Sequence, residues 1–442
     1  MNPLASFFSS LYAVLKNFSL VSRLSSPVIS LSSLVFLAAC SDFFHPVEST
    51  PEPTEYSYNY WLLTRTYLYE DELPLLDEEG DSVSELYNKL SDPFTRYVPP
   101  AKSEQTRNHL NTSIIPGDVG MEYSAYYNME YPIVIYRVYK NGPAGRAGVP
   151  RFGNILSVNG VELKGENAFN TYDSLLTYNT EISMVVASNS DTTLYKMTKE
   201  DIYAPTVFID TLNNIPFITI TGFKLNTADQ KNGTLGELRE YLEETRGTTQ
   251  PRILDLRSNP GGHVSQCIAM ADLFIEKGVI STRSWRSIAP DGNPIYKKVT
   301  ETAKEGDAGE GGKFIALVNK GSASCAEIFA AAIQEGANIP IVGDTTYGKG
   351  IGQSSWNTMA GGLAIITNLD FLTPKNNSYH KTGIIPDYPC EPATIQCGLE
   401  ALEHFYGKKS NKARVLEPVT LRRSLDMGGA ILQGDSISYL KN

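Results

Sequence analysis

Basic charge is what this chain most lacks. With 38 Lys and Arg against 49 Asp and Glu, its net charge is −11, which removes the electrostatic footprint that nucleic-acid binding requires. Histidine is scarce too: there are five, and only His263 adjoins a double-glycine turn. No group of His and Cys has metal-ligand spacing, so no metal and no cofactor is implied. The apolar stretch near the N-terminus, Val28 to Ala39, is short for a membrane span and has signal-peptide proportions, with Lys16 and Arg23 ahead of it. Removing residues 1–39 deletes those two positive charges and no negative ones, so −11 becomes −13. No internal repeat is visible.

The chemistry concentrates between Asn319 and Gln353. Residues 314–319 (FIALVN) read as a buried strand, and Cys325 to Ile333 is apolar enough for a buried helix. Between them, Gly321-Ser322-Ala323-Ser324 makes a strand-to-helix turn that sets Ser324 at the helix start. There the free N–H groups and the positive dipole end can hold an oxyanion. Lys349 follows 25 residues later within Gly348-Lys349-Gly350, and Gln353 four residues after that. A serine with a lysine returned to it by the next strand is a route to a nucleophile that needs no histidine.

These motifs resemble those of the S41 serine peptidases, the carboxyl-terminal processing family. Its pattern is a Gly-Ser-Ala-Ser-x-x-Glu turn, a Gly-Lys-Gly loop and a glutamine four residues after the lysine. Upstream, Asp255-Leu256-Arg257-Ser258-Asn259-Pro260-Gly261-Gly262 is similar to the family's Asp-Leu-Arg-x-Asn-Pro-Gly-Gly turn, and Gly383-Ile384-Ile385-Pro386-Asp387 to its late turn. The resemblance covers roughly residues 85–405. It departs at Cys325-Ala326, where many relatives carry Ala-Ser. The resemblance implies that Ser324 is the nucleophile, Lys349 the base and Gln353 its orienting partner. The oxyanion donors would be Cys325 N–H and a backbone N–H of Gly261 or Gly262. Lys349 serves as a base only when neutral, so burial has to pull it below the ordinary lysine value of about 10.4; Tyr347 and Ile351 are the expected apolar cover.

Two further resemblances set the frame. Leu37-Ala38-Ala39-Cys40 resembles a bacterial lipobox, which implies a lipid on Cys40 and an envelope, periplasm-facing location. Pro143-Ala144-Gly145-Arg146-Ala147-Gly148-Val149 and Gly153-Asn154-Ile155-Leu156-Ser157-Val158-Asn159-Gly160 resemble a bacterial PDZ domain, with Asn154 where aspartate is usual. Its peptide-binding loop would be Pro116 to Glu122, with Gly117, Val119, Gly120 and Met121 at the site and a pairing strand through Tyr126. Asp118 and Glu122 oppose a carboxylate there unless they point outward, and a PDZ fold that only packs is the competing account.

The expected division is a signal peptide (1–39), a tether (40–55), a helical region (56–109), a PDZ domain (110–203), a peptidase domain (204–405) and a tail (406–442). Tyr60, Trp61, Leu63, Tyr67 and Leu68 are spaced as an apolar helix face. From residue 204, strand candidates at 217–221, 252–256, 314–318 and 340–342 alternate with helical stretches at 228–245, 264–275 and 324–335. The fold class is therefore multidomain α/β, and the resemblance narrows the core to a ClpP/crotonase-like ββα spiral. Cys267 and Cys325 read as packing residues. Cys390 and Cys397 either close a small loop around Pro392 or stay as thiols.

Competing readings exist for each residue. Ser322 and Ser324 suit helix capping. Gly343 to Lys349 fits the start of a phosphate loop, but Gly350 stands where magnesium needs a hydroxyl. His263 is an alternative base, and Glu327 reads as a stabiliser of its helix's N-terminal end. The functional expectation is a serine endopeptidase acting on proteins or peptides with free C-termini, held to the membrane by lipid. The alternative is a non-catalytic peptide-binding lipoprotein.

Overall fold

A computed structural model of the protein describes residues 53–407 apart from positions 78, 127 and 190. Cys40, the signal peptide, most of the tether and nearly all of the tail lie outside the described residues.

The described residues open with helices α1 (Glu55–Thr66) and α2 (Val83–Asn88), strand β1 (Arg96–Val98) and helix α3 (Pro100–Asn111). The expected all-helical region therefore contains a strand. Helix α1 buries Tyr56, Leu62 and Leu63, and Tyr67 just beyond it, while Tyr60 and Trp61 are only half-buried. The apolar face is thus rotated by about one residue from the sequence reading.

Residues 114–203 hold β2 (Ile114–Asp118), β3 (Met121–Ala125), β4 (Ile133–Val138), the single turn α4 (Pro143–Arg146), β5 (Asn154–Val158), β6 (Val161–Glu162), α5 (Ala168–Tyr178), β7 (Glu181–Ser188), β8 (Asp191–Thr198) and β9 (Glu200–Tyr203). The sheet runs β3-β4-β5-β7-β8 with β6 on β5, and β2 pairs with β9. Alternating apolar residues of β4 and β7 (Ile133, Ile135; Ile182, Met184, Val186) meet Tyr172 and Leu176 of α5 in a core of their own.

The remaining strands form two sheets. One takes β10 (Val207–Leu212), β11 (Ile215–Ile220), then helix α6 (Gly233–Glu244), β12 (Arg252–Asp255) and α7 (Val264–Asp272). The antiparallel hairpin β13 (Val279–Ile288) and β14 (Pro294–Thr302) intervenes before β15 (Phe314–Val318), α8 (Cys325–Ala337) and β16 (Ile341–Gly343). The chain closes with β17 (Ile351–Asn357), β18 (Leu363–Leu372), β19 (Tyr388–Pro389) and α9 (Ile395–Tyr406). In the order β10-β11-β12-β15-β16-β19 every neighbour from β11 onward is parallel. Each face of β15 meets its own layer, as a strand apolar at every position requires: Phe314, Ala316 and Val318 pack in the core that includes α7 and α8, Ile315 and Leu317 in that of α9. The loops that leave the carboxyl ends of β12 and β15 carry the Gly261-Gly262 turn and the Ser324 turn, where open α/β sheets place their sites.

The other sheet, β1-β18-β13-β14 with β17 on β18, is antiparallel. It brings the segment before β1 alongside β17 and β18.

Candidate active site

Ser324 caps α8 with φ 55° and ψ −118°. Positive φ is rare outside glycine and strains an L residue by roughly 1–3 kcal/mol, so the surrounding contacts must over-determine it. They do. Ala323 N–H donates to Asn259 O at 2.9 Å. A Cβ built on Gly261 would lie 2.8 Å from Ser324 Cβ and from Cys325 N, so only glycine lets the two turns approach. Asn259 fastens the glycine turn from the other side, its amide nitrogen donating to Ile220 O at 2.8 Å.

The two glycines differ in what their N–H groups do. Gly261 N–H donates to Asn259 Oδ1 at 2.9 Å, so this candidate oxyanion donor is already engaged. Gly262 stands in a parallel bridge with Phe223, whose N–H reaches Gly261 O at 3.1 Å and whose carbonyl accepts His263 N–H at 2.8 Å. In that pattern the N–H of Gly262 itself faces the opposite side. Gly262 and Cys325 thus remain as the candidate donors, each at the start of a helix.

Lys349 is buried, and its Nζ sits 4.0 Å from the centroid of the Phe94 ring. Desolvation pulls its pKa down to about 8, with Arg96 pushing the same way and Asp92 and Glu327 opposing. The expected cover differs in part. Ile351 is buried, but Tyr347 is 47% exposed, and Phe94 takes its place from the segment before β1. Nζ donates to Gln353 Oε1 at 3.0 Å. Gln353 Nε2 in turn donates to Thr367 Oγ1 at 2.9 Å, which turns the amide oxygen toward the lysine. Thr367 N–H reaches Thr95 Oγ1 at 2.9 Å, and Thr95 donates to Asp92 Oδ2 at 2.6 Å. A continuous chain of hydrogen-bonded residues therefore orients the amine from a loop some 250 residues upstream in sequence.

Glu327 does more than stabilise its helix. Buried, it accepts Ser324 N–H at 2.8 Å and Lys349 N–H at 2.7 Å on one oxygen. Its other oxygen accepts Thr346 Oγ1 and Gly348 N–H, both at 2.6 Å. Desolvation raises its pKa, and those hydrogen bonds oppose the rise. The Ser324 turn and the lysine loop are thus locked to one carboxylate.

His263, the other candidate base, caps α7, with Nδ1 2.8 Å from Ser265 Oγ and its pKa lowered by burial. Cys267 and Cys325 are not merely packing residues: they form a disulfide with Cα atoms 5.6 Å apart, because the first turns of α7 and α8 lie side by side. Cys390 and Cys397 are also bridged.

The second candidate site lies between β2 and β3. Val119 and Met121 are buried, and the Val119 and Gly120 carbonyls accept Ala144 and Tyr139 N–H at 2.8 and 2.9 Å. Gly120 N–H donates to Asp118 Oδ1 at 2.6 Å, and Gly117 N–H to Asp201 Oδ1 at 2.9 Å. Glu122 turns away to Arg137 at 3.0 Å. Along β3, Tyr123 packs edge-on against Tyr172 of α5, ring centroids 4.6 Å apart.

The profile of peptidase family S41 matches residues 214–390, which include both turns, Lys349 and Gln353. Residues 214–390 belong to peptidase family S41. The carboxy-terminal processing protease CtpA of Bacillus subtilis (strain 168) is 30% identical over 318 residues, covering 70% of this chain and 63% of that protein. The "Probable CtpA-like serine protease" of Staphylococcus aureus (strain bovine RF122 / ET3-1) is 28% identical over 317 residues, 71% of this chain and 60% of its own length. The chain thus spans about three fifths of the length of these relatives. In fold, a solved S41 protein of Bacteroides fragilis matches 80% of this chain and 98% of its own at a TM-score of 0.56 and 13% identity.

Proposed function

We propose that the protein is a serine endopeptidase of the carboxyl-terminal processing type. Ser324 attacks the scissile carbonyl, Lys349 takes its proton and returns it to the leaving amine, and Gln353 holds the lysine amine by a neutral hydrogen bond. The tetrahedral oxyanion is received by Gly262 N–H and Cys325 N–H. The observation that carries this reading is the Lys349 environment: an amine buried under Phe94, aimed by Gln353 and lowered to about 8, whose backbone shares one Glu327 oxygen with Ser324. A lysine kept merely for structure would gain from a carboxylate partner on its amine. Here the partner is an amide, which leaves the amine free to be neutral.

In this reading residues 204–405 are the peptidase domain, built on a ClpP/crotonase-like spiral, and residues 110–203 are a PDZ domain that presents substrate tails or gates the site. Cys40 carries the lipid of an envelope protein facing the periplasm. Two disulfides suit such an oxidising compartment. Substrates are proteins or peptides cut near their C-termini.

Incubation with an unstructured protein tests the enzyme. Degradation by wild type but not by Ser324→Ala is expected, with products mapped by mass spectrometry to C-terminal regions. Equal inertness of both proteins, with tail peptides still bound, would instead mark a non-catalytic peptide-binding lipoprotein. Replacement of Cys40 by serine should release the protein from membranes; unchanged partitioning would refute the lipid anchor.

A further inference from the structure

We propose that the Cys267–Cys325 disulfide is a positioning element of the active site, fixing the Gly262 and Cys325 N–H donors relative to each other and to Ser324. This rests on the reading of Ser324 as nucleophile. Cys325 directly follows Ser324, and Cys267 lies in the first turn of the helix that begins just after Gly262. The bridge therefore spans the first turns of α7 and α8, the two helices whose starts carry the two donors.

Three features argue for positioning over simple packing. The donors lie on separate segments, and a reacting group displaced by about 1 Å can lose roughly 10²-fold in rate. Ser324 holds a backbone conformation that persists only when its surroundings over-determine it. The other ties between the two turns are noncovalent: the Ala323–Asn259, Ser322–Leu256 and Ser258–Asn319 hydrogen bonds and the close approach of Gly261 to Ser324. Both cysteines are wholly buried, which shields the sulfurs from solvent in the folded protein.

Cys390–Cys397, at the start of α9 on the opposite face of the parallel sheet, provides an internal control. Wild type, Ser324→Ala, C267A/C325A and C390A/C397A are compared on an unstructured protein substrate, with near-UV circular dichroism to confirm folding. C267A/C325A is expected to lower kcat about tenfold or more with KM changed less than about twofold, while C390A/C397A keeps the wild-type kcat. If Ser324→Ala is as active as wild type, the nucleophile reading itself falls. If Ser324→Ala is inert and C267A/C325A keeps full kcat, the positioning role is overturned.

Loss of two buried sulfurs can unfold the domain, so a second measurement keeps the native residues. In the C390A/C397A background, protein unfolded in reductant is refolded either with the reductant kept or with glutathione disulfide, which reaches the thiols before folding buries them. The two thiols give up two electrons and two protons, and one glutathione disulfide becomes two molecules of glutathione. A rise in kcat that tracks the loss of free thiol at 267 and 325, by peptide mass mapping, supports the proposal. Full turnover while both thiols remain free overturns it.

Discussion

One oxygen of Glu327 accepts the backbone N–H of both Ser324 and Lys349, at 2.8 and 2.7 Å. The residue proposed to attack and the residue proposed to take its proton come from different loops, and this buried carboxylate is their common anchor. With Thr346 and Gly348 on its second oxygen, Glu327 makes four charge-assisted contacts.

Glu327→Gln should therefore injure catalysis more than its modest chemical change suggests. A glutamine offers one acceptor oxygen and sets an amide N–H₂ against either the Ser324 and Lys349 donors or the Thr346 and Gly348 pair. Leaving such donors unmet costs about 1–3 kcal/mol, relieved by moving one loop. The expected outcome is a fall in kcat of about tenfold with little change in KM. A wild-type kcat in the folded variant would show that the shared anchor is irrelevant to the chemistry.

The pH dependence follows from the lysine. Only the neutral amine accepts a proton, so kcat/KM should rise with pH through about 8, the value to which burial lowers Lys349. Phe94→Ala admits water to the amine and should move that midpoint upward, since desolvation is the largest cause of the shift. Lys224 is also lowered to about 8 by burial, its amine donating to His109 O. Lys224→Met should leave the profile in place. A profile that follows Lys224 and ignores Phe94 would reassign the titrating group.

The same burial makes a stability prediction of definite sign. Between pH 8 and about 10.4 the unfolded lysine is protonated and the folded one is not, so the contribution of Lys349 to stability improves as pH rises across that window. Below pH 8 the folded protein carries the full penalty of a desolvated ammonium, up to about 3 kcal/mol by the size of the shift. Lys349→Met, which keeps the length of the side chain without the charge, should raise Tm at pH 7 while abolishing turnover. An unchanged or lower Tm would mean that the Gln353 and Phe94 contacts outweigh the desolvation.

Local pattern made part of this legible. Strand 314–318, the serine turn and the helix after it followed from an apolar run with a break, because the residues that decide them are adjacent. Lys349 and Gln353 were readable together because four positions separate them. Phe94 over Lys349 was not, because its place is set by β1 pairing with β18, a contact between segments more than 250 residues apart. Cys267 and Cys325 looked like packing residues because a buried cysteine in an apolar helix reads the same with or without a partner; only the adjacency of α7 and α8 tells them apart. The antiparallel sheet built on β13 and β18 has no local signature, because β14 is largely exposed while β18 is apolar over several consecutive positions, so no single alternation marks it.

The loop between β2 and β3 gives the last prediction. A PDZ-type site grips a peptide's terminal carboxylate through backbone N–H groups, yet here Gly120 N–H is bound by Asp118 and Gly117 N–H by Asp201. For a tail carboxylate to enter, Asp118 must swing away, and its charge opposes the newcomer. We therefore expect C-terminal amidation of a substrate to change KM little in wild type, because the loop's own carboxylate already fills the position. Asp118→Ala should uncover Gly120 N–H, tighten binding of carboxylate-ended peptides and make KM sensitive to amidation. Isothermal titration with a free-acid peptide and its amide measures both. If wild type already prefers the free acid by about tenfold or more, Asp118 yields to ligand and the domain presents tails. If Asp118→Ala gains no preference either, the loop does not read carboxylates, and selection of C-terminal tails must reside in the peptidase domain or be absent.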